Sequence, residues 1–207
     1  MIYADKKIYL ASKSPRRREL LRQIGIEFEL LMLRDEPGRP GFVSEIPHNG
    51  EAPEDYVIRI AREKAESGWS AILGRRLPQR PVLAADTTVT IDGKIMGKPA
   101  SPEEALDMLR MLSGRTHQVL TAVAVIAQDE LREALNRSEV TFSDVNDSVL
   151  RAYCATAEPY DKAGGYGVQG NAAQFIERIN GSYSGIMGLP LFETHTCYKN
   201  LALRPYE

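Results

Sequence analysis

The sequence predicts an α/β protein built around a mixed, curved sheet, and two observations lead to that fold class. Apolar runs of strand length alternate along the chain with segments whose apolar residues recur at helical spacing. The strands are joined both by a short hairpin, with Asp92-Gly93 at its turn, and by connections long enough to contain a helix. Hairpins make neighbouring strands antiparallel and helical crossovers make them parallel, so the sheet is expected to contain both kinds of pair.

Side chains that cap free backbone N–H groups mark the helix starts. Ser14 and Ser101 are each followed by a proline, which suits the first helical position, and Asn146 precedes another helical run. Gly25 and Gly114 end the helices that the two serines begin. The predicted helices cover residues 15–24, 53–67, 102–113, 147–155 and 190–203.

Strands are predicted where β-branched and apolar residues run together or alternate with polar ones. The predicted strands are 8–12, 26–31, 82–91, 94–96, 118–126, 138–142 and 174–179. Residues 34–51 are rich in Pro and Gly and longer than a usual connection, which indicates a functional or mobile loop.

Composition excludes several classes of protein. The chain has 207 residues, of which 43% are hydrophobic and 26% charged, with a net charge of -2. This balance is that of a globular domain, and it lacks the basic excess of a protein that wraps nucleic acid. The longest apolar run, residues 122–127, is far shorter than the ~20 residues that span a bilayer, and the N-terminus lacks a signal-peptide core. A single cytoplasmic domain over residues 1–207 is therefore expected.

Segment 12–18 (Ser-Lys-Ser-Pro-Arg-Arg-Arg) is the first to suggest chemistry. It carries hydroxyls and cations where a strand runs into the free N–H groups of a helix start. These groups and the helix dipole suit a polyanion such as phosphate, although a capped helix with a solvated basic first turn is the alternative. The helix dipole destabilises cations at a helix N-terminus unless an anion binds there, so their presence favours the anion-binding interpretation. For the same reason, replacing Arg17 by alanine is expected to maintain or improve stability.

Asp86 interrupts a run that otherwise has the composition of a buried strand. A buried carboxylate needs a metal ion, a cation or hydrogen bonds, and the alternative is a surface-facing strand position. Glu36, in the long loop, is a second acidic candidate. Carboxylates of this kind suit Mg²⁺ or Mn²⁺, which bind one or two of them together with substrate phosphates.

Two lysines and a glycine-rich segment complete the candidates. Lys64 and Lys98 are cations for a phosphate, and the alternative for each is an ordinary surface lysine. Segment 161–170 has four glycines within seven residues, so its backbone can approach a flat ligand closely. Gln169 offers a donor and an acceptor to the edge of a base, whereas the alternative is a flexible loop.

Five segments resemble the Maf family in their order and spacing. They are 11–17 (Ala-Ser-Lys-Ser-Pro-Arg-Arg), 84–87 (Ala-Ala-Asp-Thr), 97–99 (Gly-Lys-Pro), 112–117 (Leu-Ser-Gly-Arg-Thr-His) and 161–170. The resemblance covers nearly the whole chain. It implies a nucleotide pyrophosphatase, which hydrolyses a nucleoside triphosphate to the monophosphate and pyrophosphate. It also implies an elongated, two-lobed fold similar to that of inosine triphosphate pyrophosphatases, with the site in a cleft between the lobes.

The resemblance assigns a role to each candidate. Asp86 matches the catalytic proton acceptor, and Asp86 and Glu36 match the acidic residues linked to a divalent cation, Mg²⁺ or Mn²⁺. The remaining matches are Arg16, Thr87 and Gln169 for substrate preference, and Ser12, Arg17, Lys64 and Lys98 for the phosphates.

The form of the last motif, Gly-Tyr-Gly-Val-Gln-Gly at 165–170, is similar to the branch of the family that acts on dTTP and UTP, and on modified pyrimidine nucleotides. The branch acting on 7-methyl-GTP has a Phe and an acidic residue in this stretch, so that activity is an alternative. A nucleotide-sensing regulator of cell division is another. The expected partners are a nucleoside triphosphate and, as members of the family often form dimers, a second copy of the chain. No stable nucleic-acid or membrane binding is expected.

Overall fold

The computed structural model describes residues 7–33, 41–128, 130–199 and 201. The strands are β1 (Ile8–Leu10), β2 (Phe28–Leu30), β3 (Val82–Ile91), β4 (Lys94–Met96), β5 (Thr116–Ala127), β6 (Glu130–Phe142) and β7 (Ile176–Asn180). The helices are α1 (Pro15–Gln23), α2 (Pro53–Gly74), α3 (Pro102–Leu112), α4 (Asp147–Cys154), α5 (Tyr183–Ile186) and α6 (Leu191–Lys199).

All seven strands form one mixed sheet, in the order β2-β1-β3-β5-β6-β7, with β4 paired to β3 as well. The pairs of β1 with β2 and with β3 are parallel, and the other pairs are antiparallel. The predicted α/β class with a mixed sheet is therefore confirmed. No helix in the described ranges is long and apolar enough to cross a bilayer.

A gap along one edge of β3 is the feature that opens the sheet to a ligand. On the side away from β5, strand β1 pairs with β3 only at Val82 and Leu83, and β4 pairs with it only from Val89 onward. The stretch between them, which contains Asp86 and Thr87, is paired on the β5 side alone. Functional groups at the middle of a buried strand therefore remain accessible from this edge.

Helices cover both faces of the sheet, and the alternation of side chains along β3 shows which helices lie on which face. Val82 and Ala84 pack with the apolar face of α2. Leu83 and Ala85 lie in a second cluster, with residues of α1 and α6. Further along the strand, Val89 belongs to a third cluster, formed with α3 and α4. Because alternate residues face opposite sides, Asp86 faces α2 and Thr87 faces α1.

Two of the predicted elements extend well beyond their predicted bounds. Strand β6 begins at Glu130 rather than at residue 138, because its polar first half is held by continuous pairing with the buried strand β5. Helix α2 continues past residue 67 to Gly74. Gly68 makes this packing feasible, since a Cβ there would lie 2.7 Å from Cγ1 of Val82. The short helix α5, capped by the Ser182 side chain, was not predicted.

Candidate active site

A cleft of about 720 Å³ lies at the gap in the β3 edge. Seven of the predicted site residues line it, namely Ser12, Arg16, Arg17, Lys64, Asp86, Thr87 and Lys98. Glu36 lies outside the described residues. The structure thus brings together groups that are distributed over almost ninety positions of the chain, from the start of α1 to the loop after β4.

Asp86 forms the buried acidic centre of the cleft. Its Oδ1 lies 2.8 Å from Nζ of Lys64, which projects from α2, and the same Nζ lies 2.6 Å from Oε1 of Glu45. Burial raises the pKa of Asp86 above its ordinary value, and the attraction of Lys64 and Arg17 offsets this only in part. A carboxylate with a raised pKa is better suited to accept a proton near neutral pH than an ordinary aspartate.

Glu45 is a site residue that the sequence reasoning missed. Burial acts to raise its pKa, but Lys64, Lys98 and Arg17 outweigh that effect and bring the pKa below its usual value. Tyr56 fixes the position of this residue, because its hydroxyl donates to the Glu45 backbone carbonyl at 2.9 Å. Glu45 follows no periodic pattern, and its inclusion in the long loop was the one signal that pointed to it.

Arg17 uses three of its five guanidinium N–H groups to bind the protein. Its Nε donates to the carbonyl of Gly188 at 2.6 Å, and its two Nη atoms contact Oγ of Ser12 at 3.2 Å and Oγ1 of Thr87 at 3.3 Å. Gly188 has φ +108, a conformation that L side chains rarely adopt. These bonds join α1 to β3 and to the turn before α6, so they favour a loss of stability on replacement of Arg17 by alanine, opposite to the expectation from the helix dipole. Two guanidinium N–H groups remain for a ligand.

Arg16, the preceding residue, has one guanidinium nitrogen without a hydrogen-bond partner in the described residues. Its Nε is buried and makes no hydrogen bond in the described part of the chain. The Nη1 atom lies beside Gly167, where a Cβ would be 3.3 Å from it. An unsatisfied buried donor is costly, and an anionic ligand in the cleft would satisfy it.

The glycine-rich segment closes one side of the cleft. The amide of Gly164 donates to the carbonyl of Gly97 at 3.0 Å and so fastens the loop that carries Lys98. Gly164 has φ +68, and a Cβ there would lie 2.9 Å from Cγ2 of Val89, so that glycine is required on both grounds. Nζ of Lys98 extends to 3.9 Å from Oε2 of Glu45.

Gln169 is placed differently from the other candidates. Val168 and Gly167 line the cleft, but Gln169 does not, and its side chain is exposed. Glu158 holds the chain just after it, since its carboxylate accepts the amides of Asn171 at 2.8 Å and Ala172 at 3.3 Å. The role of Gln169 in base recognition stays a prediction.

The acidic residues of the cleft bear on metal binding. The described residues contain no group of three or more His, Cys, Asp or Glu side chains placed to hold a metal ion. Asp86 and Glu45 are two carboxylates that share one ammonium group, that of Lys64. Mg²⁺ commonly binds to one or two protein carboxylates and completes its shell with phosphates and water, so the donor set fits such an ion.

Fold and cleft together define an α/β protein with a cation-lined cleft around a buried carboxylate. A model of the Maf-like protein family matches residues 7–201, and the chain belongs to the Maf family. It is similar to a dTTP/UTP pyrophosphatase of Aromatoleum aromaticum, with 56% identity over 91% of this chain and 92% of that one. It is also similar to a dTTP/UTP pyrophosphatase of Nitrosospira multiformis, with 49% identity over 100% of both chains.

Among solved structures, the chain is similar to the Staphylococcus aureus Ham1 protein. The identity is 18%, the TM-score is 0.44, and the match covers 67% of this chain and 73% of that one. A likeness at this score carries no argument about function.

Proposed function

We propose that this protein hydrolyses dTTP and UTP to the nucleoside monophosphate and pyrophosphate. The observation that carries the proposal is the position of Asp86, a buried carboxylate with a raised pKa in a cleft lined by cations. The relatives named above, which match nearly the full chain, carry the name of this activity. Their name also favours the pyrimidine branch over the 7-methyl-GTP alternative.

The cations of the cleft suit a triphosphate. Arg16 offers an unsatisfied buried Nε, Arg17 offers two remaining N–H groups, and Lys98 also lines the cleft. Guanidinium groups form paired hydrogen bonds with phosphate oxygens, and fixed cations in a partly dry cleft stabilise the charge that develops in phosphoryl transfer. These residues would hold the triphosphate and stabilise the departing pyrophosphate.

Asp86 would orient and deprotonate the attacking water. The oxygen of that water bonds to the α-phosphorus, the bond from this phosphorus to the bridging oxygen breaks, and pyrophosphate leaves with the electron pair. Lys64 lies 2.8 Å from the carboxylate and keeps it in position, while its ammonium stabilises the ionised form. General-base assistance of this kind contributes typically ~10²–10⁴-fold in rate.

A divalent cation, Mg²⁺ or Mn²⁺, would be held by Asp86 and Glu45 together with the substrate phosphates. When bound, such an ion supplies positive charge to the phosphate oxygens. Glu36, which the resemblance links to the ion, lies outside the described residues, and its role stays a prediction. Lys64, whose Nζ contacts both carboxylates, would keep Asp86 and Glu45 close enough to share such an ion.

A panel of nucleotides tests the proposed function. We expect pyrophosphate release from dTTP and UTP with Mg²⁺ or Mn²⁺, and much slower release from CTP, the purine triphosphates and 7-methyl-GTP. Asp86→Asn is the inactive variant, and Asp92→Asn is its matched control, because Asp92 lies in the exposed hairpin turn outside the cleft. Equal activity of wild type and Asp86→Asn, or a preference for 7-methyl-GTP, would overturn the proposal.

A further inference from the structure

A tight turn at residues 167–170 forms one part of the cleft wall. The amide of Gly170 donates to the carbonyl of Gly167 at 3.1 Å and closes this turn. Gly167 and Val168 line the cleft, and Val168 also packs against the apolar cluster that contains residues of α1 and α6. A glycine and a valine present an uncharged surface, which suits a base or a sugar better than a phosphate, because phosphate oxygens need donors or cations.

The carboxylate of Glu158 holds the chain where this turn ends. Its Oε2 accepts the amide of Asn171 at 2.8 Å, and its Oε1 accepts the amide of Ala172 at 3.3 Å and the hydroxyl of Tyr153 at 3.1 Å. Tyr153 belongs to the buried cluster formed with α3 and α4. One side chain thus ties the turn to the core, and it accepts at both of its oxygens, which a carboxylate can do and a side-chain amide cannot.

The same residue holds the start of the turn through its backbone. Nζ of Lys162 donates to the carbonyl of Glu158 at 2.6 Å and pairs with the carboxylate of Asp161. The stem of this lysine lies against Gly167, where a Cβ would be 2.8 Å from Cε of Lys162 and 3.3 Å from Nη1 of Arg16. The backbone of Gly167 therefore packs closely against two cations, one of which is fixed by Glu158.

Gly170 shows how closely the carboxylate packs against the turn. A Cβ at this position would lie 2.7 Å from Oε2 of Glu158 and closer still to Oε1. The residue has φ -103 and ψ -162, an extended conformation open to L residues, so contact with Glu158 accounts for the glycine and backbone strain does not. Because the obstacle is the end of a side chain, Gly170→Ala should displace the carboxylate and break its bonds to Asn171 and Ala172.

We propose that Glu158 is a positioning residue, which holds both ends of the 167–170 turn and so fixes Gly167 and Val168 against the nucleoside part of the substrate. The nature of that substrate rests on the proposed function. Glu158 does not itself line the cleft, so it acts through the turn. Substitution of its side chain frees the far end of the turn and removes none of the cations that line the cleft.

Binding of a non-hydrolysable ligand tests this role apart from turnover. The dissociation constant of α,β-imido-UTP is measured by calorimetry for wild type, Glu158→Ala, Glu158→Gln, Gly170→Ala and the double alanine variant. Glu158→Ala is expected to weaken binding about tenfold, which corresponds to about 1.4 kcal/mol. Glu158→Gln should lose less, because its one amide oxygen still accepts one backbone amide. The double variant should bind no more weakly than the weaker single variant, since both changes act through the same carboxylate.

Two controls make the test specific. Inorganic triphosphate carries no nucleoside, so its dissociation constant in Glu158→Ala should stay within about twofold of wild type, a factor worth roughly 0.4 kcal/mol. Glu193→Gln alters another half-buried carboxylate, which accepts from Nδ2 of Asn136 at 2.7 Å and lies outside the cleft, and it should bind the analogue like wild type. Equal losses for triphosphate and the nucleotide would show that Glu158 does not act on the nucleoside, and would overturn the proposal.

The remaining outcomes are also decisive. Unchanged binding by Glu158→Ala, or losses that add fully in the double variant, would overturn the positioning role. If Glu158→Ala does not fold, Glu158→Gln and Gly170→Ala decide in its place, and unchanged binding by both would overturn the role. Wild type that binds α,β-imido-UTP but releases no pyrophosphate from UTP would refute the proposed function alone, with the variant comparison still interpretable. Wild type that does not bind the analogue would refute both.

Discussion

Replacing Arg17 by alanine should destabilise the protein, whereas the same change at Arg16 should not. Arg17 donates three hydrogen bonds to three separate segments, ending at Gly188, Ser12 and Thr87. Arg16 lies one residue earlier and has a buried Nε without a partner in the described residues. The two arginines therefore form a matched pair in the same turn of α1, with the same chemistry but different bonding.

The magnitude follows from the three distances. The contact to Gly188, at 2.6 Å, is short and charge-assisted, a class that contributes ~1.5–3 kcal/mol. The contacts of 3.2 and 3.3 Å are weak, and relief from burying a cation near a helix N-terminus offsets them in part. A net loss of about 2 kcal/mol results, and at ~2–4 °C per kcal/mol for a chain of this length Tm falls by roughly 4–8 °C.

Thermal unfolding followed by circular dichroism, beside steady-state pyrophosphate release, measures both effects. Arg16→Ala should leave Tm within about 2 °C of wild type while it raises KM, since it removes the proposed phosphate contact and no hydrogen bond within the described part of the chain. Arg17→Ala should lower Tm as well as activity. Equal melting temperatures for the two variants would refute the reasoning, because they would show that the contacts of Arg17 contribute nothing to folding.

Three further outcomes are expected. Asp86→Asn should lower kcat by ~10²–10⁴-fold, because it removes the general base. It should leave Tm at or above that of wild type, because burial raises the pKa of this carboxyl and the amide removes the buried charge. A marked fall in Tm would instead indicate that the ion pair with Lys64 is structural. Arg59 lowers the pKa of Glu51 to about 2, so this pair stabilises the fold above the ordinary pKa of 4.5 and loses that effect as pH falls toward 2. The Tm difference between wild type and Glu51→Gln should accordingly shrink below pH 4.5, and a constant difference would contradict this. Gln169→Ala should lower the ratio of kcat/KM for UTP to that for CTP more than it lowers turnover, and an unchanged ratio would exclude base reading by this side chain.

Elements defined by local signals were predictable from the sequence. The bounds of β3 follow from its β-prone run, and the starts of α1 and α3 follow from the capping residues Ser14 and Ser101. The first half of β6 was not predictable, because its polar residues form a strand only through pairing with β5. Local pattern fixes an element where propensity dominates, and tertiary pairing fixes it elsewhere.

The same distinction holds for the site residues: those with a local sequence signal were predictable, and those placed by tertiary contacts were not. Asp86 stood out because a carboxylate within an apolar run needs a partner, and that partner is Lys64. Glu45 lies in an aperiodic loop, so its approach to Lys64 follows only from the packing of the loop against α2. The bonds of Arg17 join residues up to 171 positions apart, and the helix-dipole argument took no account of them. Local electrostatics and these bonds therefore predict opposite signs for the effect of Arg17→Ala on stability, and the melting temperatures decide between them.

The position at which water attacks is the central chemical claim, and oxygen-18 labelling tests it directly. UTP is hydrolysed by the protein in ¹⁸O-labelled water, and the products are separated and analysed by mass spectrometry. Attack at the α-phosphorus, with Asp86 directing the water, places one labelled oxygen in UMP and none in the pyrophosphate. Label in the pyrophosphate, or release of orthophosphate in its place, would show that water attacks elsewhere on the triphosphate and would contradict the account.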